Sequence, residues 1–305
     1  MTPGVSNSRT LPRARSLRRN FPSPPSDSMG LGLGMCGCHA RGVRPFTLVA
    51  ASLLVLFLLG WRMPPPHTWR QCPPFLPTEG DAGKTPGHAR NVTLLGHDFV
   101  VSDAASVQSV STIEQEINAD DYGLRRLATD RPMVVVDVGA NVGMVSLALS
   151  RLLPHARIYA LEPHPVTYRY LVHNLRRNRA ANVMAFNVGL SRDGRNLSLS
   201  YDATNSGGTS AFVVPTSNTT SARTATLAGF LDALCIDTVD LLKLDCEGCE
   251  YEVLGDGPDA DNFLWQRIRQ LRGERHEWVG IRPTPTQRKR MHRLLSVHPR
   301  FSFVK

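Results

Sequence analysis

Apolar residues along this chain recur in two rhythms. From Met133 to Val136 they run unbroken and mostly β-branched, as in a strand buried on both faces of a parallel sheet. Asp137 is read as ending that strand, and Gly139, Asn141 and Gly143 as a tight turn. From Val142 the apolar positions (Val145, Leu147, Ala148, Leu149, Leu152) return at helical spacing. Arg157–Leu161 and Val183–Val188 predict a second and third strand. The helix between them runs from about Pro165 to Asn178, with Tyr168, Leu171, Val172 and Leu175 on its apolar face. Leu197–Tyr201 and Ser210–Val214 predict a hairpin turning at Asn205–Gly208, followed by a polar loop over 215–221. A short helix at Leu227–Leu234, a fourth strand at Thr238–Leu244 and a last one around Ile268–Arg272 lead to Glu274 and His276. Upstream, Asn91–Thr129 predicts a small leading element with a helix in Ser111–Ile117, capped by Ser111 or Thr112. Downstream, Thr286–Leu295 is helical in period and Phe301–Val304 reads as a strand. Strands alternating with helices define an α/β fold with a doubly wound, Rossmann-like parallel sheet.

Ahead of this body the pattern changes twice. Residues 1–44 are rich in Arg, Pro, Ser and Gly and cannot bury a core, which predicts a disordered basic tail. Residues 45–61 (PFTLVAASLLVLFLLGW) carry no charge, at the short end of the ~17–25 residues a membrane span needs. Arginines crowd the flank before it, so the expected topology is a type II signal-anchor with the tail in the cytosol. A cleaved signal peptide is the alternative. Residues 62–90, rich in Pro, Gly and Thr, read as a stem, leaving 91–305 as the folded domain. Sequons at Asn91, Asn196 and Asn218 all follow the span, in keeping with a lumenal domain in the Golgi or endoplasmic reticulum.

Charge then narrows the partners. The net charge of +9 would suit a nucleic acid, but it is unevenly spread. Lys and Arg against Asp and Glu number 11 to 3 in residues 1–90, 13 to 21 in 91–263 and 11 to 2 in 264–305. The body is acidic, the opposite of the basic stripe a nucleic-acid enzyme carries beside its site, so no nucleic-acid partner is expected. The basic run TQRKRMHRLL reads as a solvated helix face or as a contact for an acidic acceptor such as a sulfated glycan. Cys246 and Cys249 form a C-x-x-C without the second ligand pair that zinc requires, so no metal is expected. In an oxidising lumen a disulfide among Cys72, Cys235, Cys246 and Cys249 is open. Cys36 and Cys38 are candidates for palmitoylation.

The turn after the first strand carries the chemistry. Its order is Asp137-x-Gly139-x-Asn141-x-Gly143, whereas a dinucleotide site would read G-x-G-x-x-G. A carboxylate leading the turn repels a phosphate and attracts an ammonium or a hydroxyl. S-adenosylmethionine offers an α-ammonium and a ribose and has no phosphate. Glu162, at the tip of the second strand, lies near the ~20-residue offset of an acid that binds ribose hydroxyls.

Four segments resemble the FkbM-type methyltransferases: VVVDVGANVGMVSLALSR, YALEPHPVTYRYLVHNLRRN, NVMAFNVGLS and DTVDLLKLDCEGCEYEVL. The last contains K-x-D-x-E-G-x-E-x-x-x-L, the most specific of them, and the resemblance covers about Asp130 to Trp278. It implies S-adenosylmethionine-dependent transfer of a methyl group, usually to a hydroxyl oxygen. The expected cofactor residues are Asp137, Gly139, Asn141, Gly143 and Glu162. Asp245 or Glu247 is expected to orient an acceptor hydroxyl and His276 to assist as base. Capping of the following helix is the plainer reading of the two acids, while Glu250 and Glu252 read as solvated or helix-capping. The acceptor is a small molecule, glycan or lipid. A catalytically inactive lumenal binding protein of the same fold is the second reading and a nicotinamide dehydrogenase a distant third. The closing antiparallel hairpin usual in methyltransferase sheets is expected to be incomplete.

Overall fold

Six parallel strands form the centre of the molecule. The computed structural model describes residues 88–103, 107–127, 131–202, 205–211, 219–255, 266–276, 283–298 and 300–304. The expected tail, the expected signal-anchor at 45–61, most of the expected stem, Asn218, Cys36, Cys38 and Cys72 lie outside the described residues. Among those described, no helix is long and apolar enough to cross a membrane.

The chain enters through a hairpin, β1 (His88–Leu94) and β2 (His97–Asp103). It turns on Leu95 and Gly96, both at positive φ, as a two-residue hairpin loop demands. Strand β1 thus begins at His88, within the segment 62–90 read as a stem. Helix α1 (Val107–Ala119) starts before the expected cap: Ser111 lies inside it and its hydroxyl accepts from Arg90 at 2.5 Å. Then come β3 (Val134–Val138), α2 (Met144–Leu152), β4 (Arg157–Leu161), α3 (Pro165–Arg177) and β5 (Val183–Phe186). Helix α3 begins at the expected Pro165, the residue after its cap His164.

A side layer follows: β6 (Gly189–Leu190), β7 (Leu197–Asp202), β8 (Asn205–Ser210), β9 (Thr219–Ala222) and β10 (Thr224–Ala225). Here the expected hairpin is corrected, since residues 205–208 belong to β8 and the loop assigned to 215–221 ends inside β9. Gly207 and Gly208 suggested a turn, but backbone pairing with β7 needs no side chain. Helix α4 (Leu227–Ala233), capped by Thr226, leads to β11 (Leu241–Leu244) and α5 (Cys249–Gly255). The chain closes with β12 (Leu271–Glu274), α6 (Pro285–Val297) and β13 (Phe301–Val304). Thr284 and Gln287 form a reciprocal capping box at the start of α6.

Strand order is β13-β12-β11-β3-β4-β5, with every pairing parallel. Read from β3 outward this is the Rossmann order, with the chain reversing direction of travel between β3 and β11. Successive side chains of β3 alternate between two cores: Val135 packs with α1, α2 and α3, Val136 and Val138 with α4, α5 and α6. That alternation decides where the next two charged residues go.

Candidate active site

Ligands in open parallel sheets bind outside the carboxyl ends of the strands where the order reverses. Here that place is the junction of β3 and β11, and the two strand tips are pressed together. A Cβ on Gly139, whose φ is +74°, would sit 1.8 Å from the Asp245 carbonyl oxygen and 3.1 Å from Cys246 Cα. Only glycine fits. The N–H groups of Gly139 and Ala140 both donate to Leu161 O, at 3.0 and 2.9 Å, which ties the turn to β4.

Two expectations for this turn are corrected. Asp137 does not end the strand; it lies within β3 and is fully buried. Its face of the sheet is the one that Lys243, its register partner on β11, also occupies. Asp137 Oδ2 accepts from Ser146 Oγ at 2.6 Å and Oδ1 lies 3.3 Å from Lys243 Nζ. Glu162 is tied into the turn as well. Its two oxygens accept from Asn141 N at 3.0 Å and His164 N at 2.8 Å, so it braces the turn. Burial pushes its carboxyl up to about 7 against the pull of those two N–H groups. The expected helix start at Val142 moves to Met144, with Gly143 as a left-handed cap. Asn141 is held at φ +51°, and its side-chain oxygen is buried with no hydrogen bond.

Lys243 organises the other side. Among the described residues it is the largest fully buried side chain, 3.3 Å from Asp245 Oδ2 and donating to Gly139 O at 3.0 Å. Burial opposes its charge, but Asp245 and Asp137 outweigh burial and raise the ammonium's pKa. Burial likewise works against the charge of Asp245, and Lys243 with His276 overcomes it, so that carboxyl stays below the usual range. Tyr122 donates its hydroxyl to Asp245 Oδ2 at 2.8 Å.

His276 stands among four carboxylates. Its Nδ1 is 3.0 Å from Glu250 Oε1; its Nε2 is 3.7 Å from both Asp245 Oδ1 and Glu247 Oε2 and 3.9 Å from Glu274 Oε1. Burial lowers its pKa, yet the Glu250 contact and the other acids carry it up to about 9. Glu247, at φ +57°, is pushed up to about 8, chiefly by burial. Burial and the Asp245 charge also raise Glu274. Glu250 is not solvated: it is wholly buried, and its carboxylate accepts from Cys246 N at 2.8 Å and Gly248 N at 2.9 Å. Glu252 is buried as well, paired with Arg195. Asp245, Glu274 and His276 bring one donor atom each within 4.8 Å of one another, a set able to take a cation. Lys243 and a protonated His276 already compensate the acids there.

A cleft opens where the two sides meet. Its walls include Leu161, Pro163, Leu197, Leu199, Cys246 and Cys249, and among the described residues no Lys or Arg lines it. Cys246 and Cys249 are joined as a disulfide, and Cys235 is disulfide-bonded too. An apolar cleft without cations suits a donor that carries no phosphate, and Asn141 Oδ1 awaits a hydrogen-bond donor such as a ribose hydroxyl or an ammonium. These residues fit S-adenosylmethionine.

The family follows from comparison. A model described as the Methyltransferase FkbM domain matches residues 137–292, just over half of the chain. The chain belongs to that family and is an S-adenosylmethionine-dependent methyltransferase by it. Methyltransferase sdnD of Sordaria araneosa is 32% identical over 224 residues, covering 61% of this chain and 84% of that protein. The 31-O-demethyl-FK506 methyltransferase FkbM of Streptomyces tacrolimicus is 31% identical over 196 residues, 54% of this chain and 74% of that protein. Among solved structures, the precorrin-6y C5,15-methyltransferase of Geobacter metallireducens overlaps with a TM-score of 0.37 at 19% identity, covering 64% of this chain and 75% of that one.

Lys243, Tyr122 and Glu250 escaped the sequence reading as site residues. A signal existed for the first: a lysine inside the apolar run LLKL must be buried and therefore paired. Tyr122 lies 123 positions from its partner and gave none.

Proposed function

We propose that this methyltransferase modifies a hydroxyl oxygen of a glycan, lipid or small molecule in the lumen of the secretory pathway. One observation carries the reading: an apolar cleft with no cation among its described walls shares a sheet edge with a part-buried acid cluster whose members differ in basicity. Methyl transfer to an alcohol needs the acceptor oxygen in line with the methyl carbon and relieved of its proton. Bound in the cleft, S-adenosylmethionine supplies the electrophilic methyl group. Asp245, kept ionised, orients the acceptor hydroxyl. Glu247, at about 8, is basic enough to take the hydroxyl proton as the oxygen–carbon bond forms. His276, protonated below about 9, cannot accept that proton and instead balances the surrounding carboxylates, so the base role expected for it passes to Glu247.

The lumenal placement draws on two features. Asn91 and Asn196 are exposed, as glycosylation acceptors must be. Disulfides at Cys235 and Cys246–Cys249 belong to an oxidising compartment. The uncleaved anchor at residues 45–61 completes this reading. A second reading, an inactive lumenal binding protein, draws on Glu247 and His276 both holding protons near neutrality.

Methyl-labelled donor incubated with the purified chain and secretory-pathway extracts, fractionated into glycan, lipid and protein, separates the two. Label that increases as pH passes 8 and is lost in Glu247→Gln supports transfer. No label in any fraction, with S-adenosylhomocysteine still raising the melting temperature, would leave the binding protein.

A further inference from the structure

The family pattern K-x-D-x-E-G-x-E places no demand on the residues at 246 and 249, yet here both are cysteines and they are joined. Their bridge closes a four-residue ring around Glu247 and Gly248, both at positive φ, +57° and +109°. Left-handed backbone at a glutamate is strained and persists only where its surroundings over-determine it. Three constraints do so. The disulfide fixes both ends of the ring, Glu250 accepts from Cys246 N and Gly248 N, and Ser210 Oγ donates to Glu247 O at 2.6 Å. On its other side the ring touches the donor turn, since Gly139 packs against Asp245 O and Cys246 Cα. Both cysteines also line the cleft.

We propose that Cys246–Cys249 is a reversible redox bond reached through the cleft, and that its oxidised form holds the donor site and Glu247 in their working arrangement. The step is a thiol–disulfide exchange with a dithiol. One thiolate attacks a bridge sulfur, giving a mixed disulfide; the second resolves it. Two electrons and two protons pass to the chain, leaving two cysteine thiols and one oxidised dithiol. Released, Glu247 leaves its strained backbone and the wall under Gly139 loosens, so donor affinity falls. A ligand filling the cleft shields the bridge. The effect on the donor rests on the methyltransferase reading; the reduction itself does not.

The test uses the full chain, oxidised, exposed to dithiothreitol under native conditions, then alkylated and mapped by mass spectrometry so that Cys235 is scored separately. S-adenosylhomocysteine affinity is measured by calorimetry on the same samples. The bridge should be reduced while the chain stays folded, more slowly with S-adenosylhomocysteine present, and affinity should drop about tenfold, within the usual range of coupled sites. The Cys246→Ser/Cys249→Ser double variant should bind as the reduced chain does and ignore dithiothreitol, while Cys235→Ser should still respond. Equal affinity in oxidised, reduced and double-variant chains would overturn the proposal, as would a bridge that yields only on unfolding. If the oxidised chain bound no S-adenosylhomocysteine at all, the donor reading would fall. Hydrogen exchange at the Glu247 and Gly248 amides would then decide the redox claim: faster exchange on reduction supports it and unchanged exchange defeats it.

Discussion

On both sides of the β3–β11 junction a buried glutamate holds a strand-tip turn by accepting two backbone N–H bonds, but what surrounds the two differs. Glu162 holds the Asn141 turn beside an apolar cleft, and its nearest acid, Asp137, is neutralised by Lys243. Glu250 holds the Cys246–Gly248 turn in the middle of a crowd: Asp245, Glu247 and Glu274 all face His276. One side is shaped to receive a ligand with little charge of its own. The other keeps unlike protonation states within a few ångströms, which is what proton removal requires. Lys243 is the residue they share.

Removing it gives the largest effect. Lys243→Met leaves Asp137 buried without a cation and Asp245 with His276 alone, a loss of about 3–5 kcal/mol that a urea melt would register. Adding Asp137→Asn and Asp245→Asn should recover much of it. If the single change proved neutral, the two sides would be independent.

Gly139→Ala comes next and strikes the seam itself. The added methyl meets the Asp245 carbonyl at 1.8 Å, so one of the two turns must move. A cost of ~3 kcal/mol follows from overpacking and left-handed strain together. The melting-temperature rise with S-adenosylhomocysteine should vanish. A retained rise would place the donor elsewhere.

The pH profile of stability separates the sides at a smaller scale. Glu162, Glu247 and His276 are all raised, to about 7, about 8 and about 9. The contribution of each is complete below its unfolded pKa and disappears as pH climbs through the folded value. Melting temperature should therefore decline from pH 5 to pH 9. His276→Ala should remove the imidazole's share of the decline between about 6.5 and 9, leaving there the part due to Glu247, and keep the lower part, where Glu162 acts, unchanged.

Much of this was legible in the sequence. The apolar runs at 134, 157 and 183 announced β3, β4 and β5 because strands buried on both faces show their burial without interruption. Asp137 broke that logic: a charge in a strand reads as its end unless its partner is known, and Lys243 is more than a hundred residues away. That Asp245, Glu247 and His276 meet at the tips of β11 and β12 was recognisable, but their protonation was not. It depends on Glu250 turning inward to hold His276 protonated, a matter of helix facing at α5 that a seven-residue helix is too short to declare by period. The β7–β8 boundary shifted because glycines permit a turn without requiring one.

The sharpest test of the comparison is also its mildest perturbation. Gln in place of either bracing glutamate keeps the shape, retains one accepting oxygen and offers an amide N–H where a backbone N–H already points. Glu162, at about 7, is part-protonated near neutrality, so Glu162→Gln imitates a state it already visits and should cost ~1 kcal/mol. Glu250→Gln must also release His276 Nδ1, 3.0 Å from the lost charge, and should cost about 2 kcal/mol. The discriminating measurement is the His276 titration followed by NMR. In Glu250→Gln it should fall from about 9 toward its ordinary 6.5, whereas in Glu162→Gln it should stay where it is. Equal shifts in the two variants would mean that the two braces belong to one electrostatic unit, and the distinction between a receiving side and a proton-handling side would not stand.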